Sequence, residues 1–327
     1  MKVLITGFTG FVSTHFLTLL HAIDPGSEVL GIDKHSPAFD IASYPNLNIT
    51  FKNIDLLNKK DVEDTLVAFQ PEHILHLASV SSVALSWQTP MDSFVNNTNI
   101  FLNLVEKVRT TNIKCRILSV GSSEEYGEVA ESQLPLTEAH ALTPLSPYAV
   151  ARVSQEMLSR IYAEGFNLDI IITRSFNHIG PGQRDSFVIS SFAKQLVQLS
   201  KAKTETNKLV TGNLSIIRDF LDVRDVVKAY YLLLKKGISG EVYNICSGNG
   251  IALKDIVTRM SKILKINIEL EVDPSLIRPN ENKMIIGSFQ KIKSELGWQP
   301  EIPLERTLRD LLNWHRDNLL HQQKAKG

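Results

Sequence analysis

The chain has 327 residues, 43% hydrophobic and 21% charged, and its 35 basic residues balance 35 acidic ones. That length is enough for two lobes with a large core. A net charge of zero leaves no bulk field to attract nucleic acid or an acidic membrane surface, so any anion site must be built locally.

Short apolar runs over 2–6, 28–32, 48–52, 73–77, 114–120 and 169–173 are rich in Val, Ile and Leu and lack strict alternation. That is the pattern of strands buried on both faces. Helical periodicity fills several gaps between them, over 11–22, 59–70, 91–111 and 148–164. Strands alternating with helices predict an α/β fold, a Rossmann-like doubly wound parallel sheet. After Arg174 the rhythm changes. Gly180-Pro181-Gly182 is followed by an amphipathic stretch over 187–201, then by 219–234 and a strand over 240–246 that read as a return to the sheet. The rest mixes a helix, a strand over 268–272 and a terminal helix from Leu304. We expect residues 1–174 plus 219–246 to bind a dinucleotide, and 175–218 plus 247–327 to form a smaller, discontinuous lobe over the carboxyl ends of the strands. Cys115 and Cys246 sit in apolar runs and read as buried thiols of a reducing compartment. With no signal-peptide pattern and no apolar run long enough for a membrane span, a cytoplasmic protein is expected. The polar tail from Gln322 is expected to fray.

Gly7-Phe8-Thr9-Gly10-Phe11-Val12-Ser13 joins the first strand to the first helix. Gly7 permits a tight turn, and Gly10 lets backbone approach a pyrophosphate at the helix N-terminus. The third position of this fingerprint, usually Gly, is Ser13. Asp33 closes the second strand, where a carboxylate accepts from a ribose 2′-hydroxyl and repels a 2′-phosphate. Lys34 and His35 follow and could soften that repulsion, so NAD is favoured and NADP left open. Asp55 and Leu56 end the third strand, near an expected adenine. Leu77, Ala78 and Ser79 end the fourth, where small residues let a ribose and phosphate pass. His76 reads as a packed strand-end histidine.

Tyr148 and Arg152 are four residues apart at the start of a helix, hence on one face about 6 Å apart at Cβ. A phenol beside a fixed cation sheds its proton more readily than a free one, which suits a general acid or base. After the fifth strand comes Gly121-Ser122-Ser123-Glu124-Glu125-Tyr126-Gly127, where a Ser can hydrogen-bond the oxygen that Tyr148 protonates.

Together, the glycine turn, this serine loop and the Tyr148 helix resemble the extended short-chain dehydrogenase/reductase family over essentially the whole chain, within the group acting on nucleotide-diphosphate sugars. Phe176-Asn177-His178-Ile179-Gly180-Pro181-Gly182-Gln183 is similar to the loop of GDP-6-deoxy-D-mannose reductases (GDP-4-dehydro-6-deoxy-D-mannose reductases). The motifs Gly212 to Phe220, Asp222 to Val226 and Ile277 to Glu281 fit the same group. The resemblance implies Tyr148 as general acid, Ser122 as its partner, and Arg152 in the place of the family's Lys. It assigns Thr9, Gly10, Phe11 and Val12, with Tyr148 and Arg152, to the cofactor. It implies substrate contacts from Ser81, Asn177, Lys194, Arg218, Arg278 and Glu281, and likens Asn97 to an active-site Asn. The implied reaction reduces the 4-keto group of GDP-4-dehydro-6-deoxy-D-mannose with NADH or NADPH; the implied partners are a GDP-sugar and a second copy of the chain, docked through the helices at Met91 and Tyr148. No metal, nucleic acid or membrane partner is expected. Glu124 stands where dehydratases of this group carry their Glu, which keeps GDP-mannose 4,6-dehydration as an alternative, beside 4-epimerisation. A cofactor-binding sensor without catalysis is the non-enzyme alternative, suggested by Arg152 and Ser13.

Overall fold

The computed structural model describes residues 1–201, 207–277 and 282–324. The first half runs β1 (Lys2–Thr6), α1 (Phe11–Ile23), β2 (Glu28–Asp33), β3 (Asn48–Asn53), α2 (Lys59–Phe69), β4 (His73–His76), α3 (Val83–Gln88), α4 (Pro90–Thr110), β5 (Arg116–Ser122), α5 (Pro147–Phe166) and β6 (Asp169–Ser175). The second runs β7 (Asn177–Ile179), α6 (Val188–Lys201), β8 (Lys208–Thr211), β9 (Ile217–Asp222), α7 (Val223–Lys236), β10 (Val242–Ile245), β11 (Gly250–Ala252), α8 (Leu253–Leu264), β12 (Glu269–Val272), β13 (Met284–Ile285), α9 (Gln290–Leu296) and α10 (Leu304–Lys324).

Seven strands form one parallel sheet in the order β10-β6-β5-β4-β1-β2-β3. Successive residues of β1 serve opposite faces. Val3 and Ile5 pack with Phe16, Leu17 and Tyr230 from α1 and α7, while Leu4 packs with Val62, Phe101 and Leu104 from α2 and α4. Apolar cover on both faces explains why the strands read as continuous hydrophobic runs. The chain leaves β1 towards β2 and β3, then returns to the other side of β1 as β4. A crevice opens beyond the carboxyl ends of the strands at such a reversal, and ligands of doubly wound sheets bind there.

The expectation that 219–234 rejoins this sheet is half wrong. β9 pairs instead with β7 and β13 in parallel and with β11 antiparallel, in a separate small sheet. Only α7 and β10 return to the main body, β10 beside β6. An apolar run shows that a strand is buried but not which edge it joins, and β7, the three-residue partner that captures β9, is too short for periodicity to reveal. α6, α8 and α10 bury Phe192, Leu196, Ile256, Met260 and Leu308 in a core of their own. Both cysteines are free; Cys246 is buried as expected, but Cys115 is only partly so. Among the described residues, no helix is long and apolar enough to cross a membrane.

Candidate active site

The glycine turn is pressed against the loop that follows β4. Gly7 has φ +67°, and a Cβ there would come within 2.8 Å of the Ala78 backbone nitrogen, so both the backbone angle and the space call for glycine. Thr6 ties the two segments together. Its hydroxyl accepts from the amides of Leu77 and Ala78, each at 3.1 Å, and shares a 2.9 Å hydrogen bond with His76 Nδ1. His76 is buried, and that burial, with help from Arg152, pushes its imidazole down to about 3. It is a neutral packing residue. α1 begins with Gly10 as an N-cap that offers no side chain, and its first turn carries no acidic residue. First-turn amides have no intrahelical partner, so this end can receive an anion. The residues present therefore fit a dinucleotide pyrophosphate.

Asp33 is held before any ligand arrives. Its Oδ2 accepts the Thr9 amide at 3.0 Å and the Thr9 hydroxyl at 2.8 Å, while Oδ1 accepts the His35 amide at 3.3 Å. Lys34, expected to soften the Asp33 charge, instead pairs with Asp55 at 3.2 Å. Sequence reasoning placed Thr9 at the cofactor but missed its grip on Asp33.

α5 starts where Ser146 caps it. The Ser146 hydroxyl accepts the Ala149 amide at 3.1 Å, and Pro147 occupies the first turn with its preset φ. This places Tyr148 on the opening turn and Arg152 one turn on, both buried. Arg152 Nε donates to Tyr148 Oη at 3.2 Å, and its guanidinium lies 5.3 Å from the phenol ring centre. Arg152 Nη1 donates to the Val120 carbonyl at 3.2 Å and to Gln155 Oε1 at 2.6 Å. Gln155 in turn donates to Ser119 Oγ at 2.9 Å. The cation is thereby bolted to β5 rather than swinging free. Gln155 was not singled out in the sequence; its spacing of three from Arg152 on a helix was the available signal. Ser122 ends β5, buried, with its hydroxyl accepting the Glu124 amide at 3.3 Å. Glu124 itself is partly exposed.

β6 passes through Phe176 into β7, and the following loop leans on α1. Phe11 lies parallel to the His178 ring at 6.2 Å, and His15 Nε2 is 2.8 Å from the Pro181 carbonyl. The proposed cofactor turn and the loop from Asn177 to Gln183 thus share one crevice. The Asn177 Nδ2 amide is buried with no partner among the described residues. A buried donor left unsatisfied in this way is costly unless a ligand completes it.

The model of the family described as GDP-mannose 4,6 dehydratase matches residues 4–311. The chain belongs to that family. It is 32% identical to a GDP-6-deoxy-D-mannose reductase of Pseudomonas aeruginosa, over 95% of this chain and 96% of that protein. A solved structure of RMD from Pseudomonas aeruginosa, complexed with NADPH, superposes with a TM-score of 0.84 at 30% identity, covering 97% of this chain and 99% of the other. A UDP-glucose 4-epimerase of Thermus thermophilus, in complex with NAD, superposes with a TM-score of 0.84 at 25% identity, covering 97% and 98%.

The remaining residues that the family resemblance singled out are scattered in their surroundings. Asn97 is buried in α4, and both ends of its amide are taken by the Val80 backbone, at 2.7 and 3.1 Å. It clamps the loop after β4. Ser79 Oγ is buried without a partner among the described residues, while Ser81, further along that loop, is exposed. Lys194 of α6 is half-exposed and paired with Asp185 at 2.5 Å. Arg218 of β9 donates to the Ile217 carbonyl at 2.9 Å. Arg278 and Glu281 lie outside the described residues.

Proposed function

We propose that this protein reduces the 4-keto group of GDP-4-dehydro-6-deoxy-D-mannose to GDP-6-deoxy-D-mannose (GDP-D-rhamnose). The observation that carries the reading is the buried Tyr148–Arg152 hydrogen bond, anchored to Val120 near the carboxyl end of β5. Bound NADH or NADPH would supply the hydride to C4 of the sugar. Tyr148 donates its proton to the oxygen on which charge grows, and the Ser122 hydroxyl steadies that oxygen. Arg152 keeps its charge throughout and orients the phenol; as a guanidinium it does not relay a proton. Tyr148 would therefore have to regain its proton from a donor other than Arg152. Asn177 Nδ2, the unsatisfied donor, contacts the sugar diphosphate. Residues 1–174 with α7 and β10 would hold the cofactor, and the rest, β9 now included, the GDP-sugar. The likeness to the Pseudomonas aeruginosa reductase supports this substrate over the other sugars handled in the family.

A second copy of the chain is the proposed partner. Helices α4 and α5 pack side by side and expose Met91, Phe94, Val150, Met157 and Ile161 to solvent, an apolar surface that a twofold copy would cover.

The test supplies the 4-keto sugar with each coenzyme in turn and analyses the product. Coenzyme oxidation with formation of GDP-6-deoxy-D-mannose supports the reading. Consumption of GDP-mannose alone, with no net change in nicotinamide, would instead make the protein a 4,6-dehydratase acting through Glu124. A further result is expected from Asp33. With Thr9 fixing the carboxylate and Lys34 drawn to Asp55, NADH should outperform NADPH. Asp33→Ser should then raise the NADPH-to-NADH ratio of kcat/KM about tenfold or more, since a like charge beside the 2′-phosphate is removed. An unchanged ratio in steady-state kinetics would remove Asp33 as the determinant.

A further inference from the structure

Behind the Ser122 turn lies a buried carboxyl pair that the mechanism above does not use. Glu125 is completely buried. Its Oε1 accepts the Ser122 amide at 2.6 Å, closing a capping box on the turn of 3-10 helix over Ser123–Tyr126. The fit is tight, for a Cβ on Gly121 would lie 2.5 Å from the same oxygen. Oε2 has no N–H or O–H donor among the described residues. The Glu125 carboxyl lies beside that of Glu156, buried on α5 two turns beyond Tyr148, where this turn packs against the helix. Glu156 is already satisfied by cations. Arg174 of β6 grips it with both prongs, at 2.9 and 2.8 Å, and Arg160 of α5 adds contacts at 3.1 and 3.0 Å. Arg174 is buried, donates to the Glu138 carbonyl at 3.1 Å, and lies 4.7 Å from the Tyr126 ring centre.

Both guanidiniums are spent on Glu156, Arg174 from within the core and Arg160 from the solvent side. An ionised Glu125 would be buried with neither of them as a hydrogen-bond donor, and two bare acceptors cannot share a hydrogen bond. We propose that Glu125 is a positioning residue kept in its protonated form, whose Oε2–H donates to Glu156 and so locks the Ser122 turn onto the helix that carries Tyr148. Burial first, and the Glu156 charge second, push the Glu125 carboxyl well above its ordinary 4.5. For Glu156, burial is the largest single cause and pulls upward, but the hydrogen bonds and charge of Arg174, the hydrogen bond from Glu125 and the charge of Arg160 together outweigh it and hold the group below its ordinary value. Besides each other, the two carboxyls are faced among the described residues by Arg174 of β6, which acts on both, and by Arg160 of α5, which acts on Glu156.

The folded chain binds this proton more tightly than the unfolded chain does. The stability it contributes is therefore full below about 4.5, and is lost as pH rises through the raised value of the folded state. Loss of the proton to solvent breaks the bond to Glu156 and frees the Ser122 turn, so kcat falls on the alkaline side. The kinetic half of the proposal rests on the reductase reading; the protonation half does not.

Infrared difference spectra between wild type and Glu125→Gln at neutral pH address the proton directly. The wild type should show the carbonyl band of a buried protonated carboxylic acid that Glu125→Gln lacks; its absence overturns the proposal. In Glu125→Gln the amide carbonyl still accepts from Ser122 and the amide N–H is a permanent donor to Glu156. That variant should move the alkaline fall in kcat to higher pH. Glu125→Leu, with neither bond, should lose about tenfold in kcat while KM changes by less than about twofold. Identical alkaline limbs in wild type and Glu125→Gln would overturn the coupling to Ser122. A wild type that does not reduce the 4-keto sugar ends the reductase reading, and the infrared arm still decides the proton.

Discussion

Tyr148→Phe is expected to lower kcat for the 4-keto reduction about 10³-fold, with binding of coenzyme and sugar close to wild type. The change removes only the hydroxyl that donates the proton; the ring stays buried on the first turn of α5, and the Ser146 cap that sets this turn is untouched. A loss of that size corresponds to about 4 kcal/mol of transition-state stabilisation. Because the hydroxyl acts only as charge develops on the substrate oxygen, the loss belongs in kcat rather than KM. Steady-state kinetics with separate measurement of coenzyme affinity checks it. A variant within about tenfold of wild type would mean another group supplies the proton.

Arg152 should show the second-largest effect. Arg152→Met keeps length and burial but removes the charge, leaving Tyr148 Oη and Gln155 Oε1 without this donor, while the Val120 carbonyl still accepts from Gln155 Nε2 at 3.2 Å. A loss of about 10²-fold in kcat is expected, from an unsupported phenol and buried acceptors left unpaired. Arg152→Lys restores the cation without the fork, and should remain within about tenfold of wild type. An active Arg152→Met enzyme would sink the idea that this cation matters. Should Arg152→Lys fall as far as Arg152→Met, the geometry of the fork, and not the charge, is what Tyr148 requires.

Much of the fold and part of the site can be read along the chain because the forces that shape them are local. The six strands and four of the five helices of the first half appear within a few residues of where apolar runs and 3.6-residue periodicity put them; the six-residue α3 is too short to show a period. Gly7 is legible because a turn between a strand and a helix demands a left-handed residue there. The Tyr148–Arg152 contact follows from helix geometry alone once Ser146 and Pro147 start the helix at the right residue. Family resemblance adds candidate roles, but not the partners that these side chains already hold.

Those partners are tertiary. Thr9 reaches Asp33 across 24 residues, and Lys34 reaches Asp55 across 21. The Asn97 amide is taken up by Val80, and β9 leaves the main sheet for β7. In the sequence Glu125 is one polar residue in a polar loop, and Glu156 a charge on an amphipathic helix. Only the packing of β5, α5 and β6 brings both carboxyls side by side in the core, with Arg174 and Arg160 turned to Glu156. The sequence by itself determined the doubly wound sheet, the glycine turn and the tyrosine helix, because backbone conformation and hydrophobic period act over a few neighbouring residues. The tertiary structure decided which edge each strand joins, which cation is already paired and which buried acid keeps its proton, because pairing and desolvation depend on groups that only the folded chain brings together.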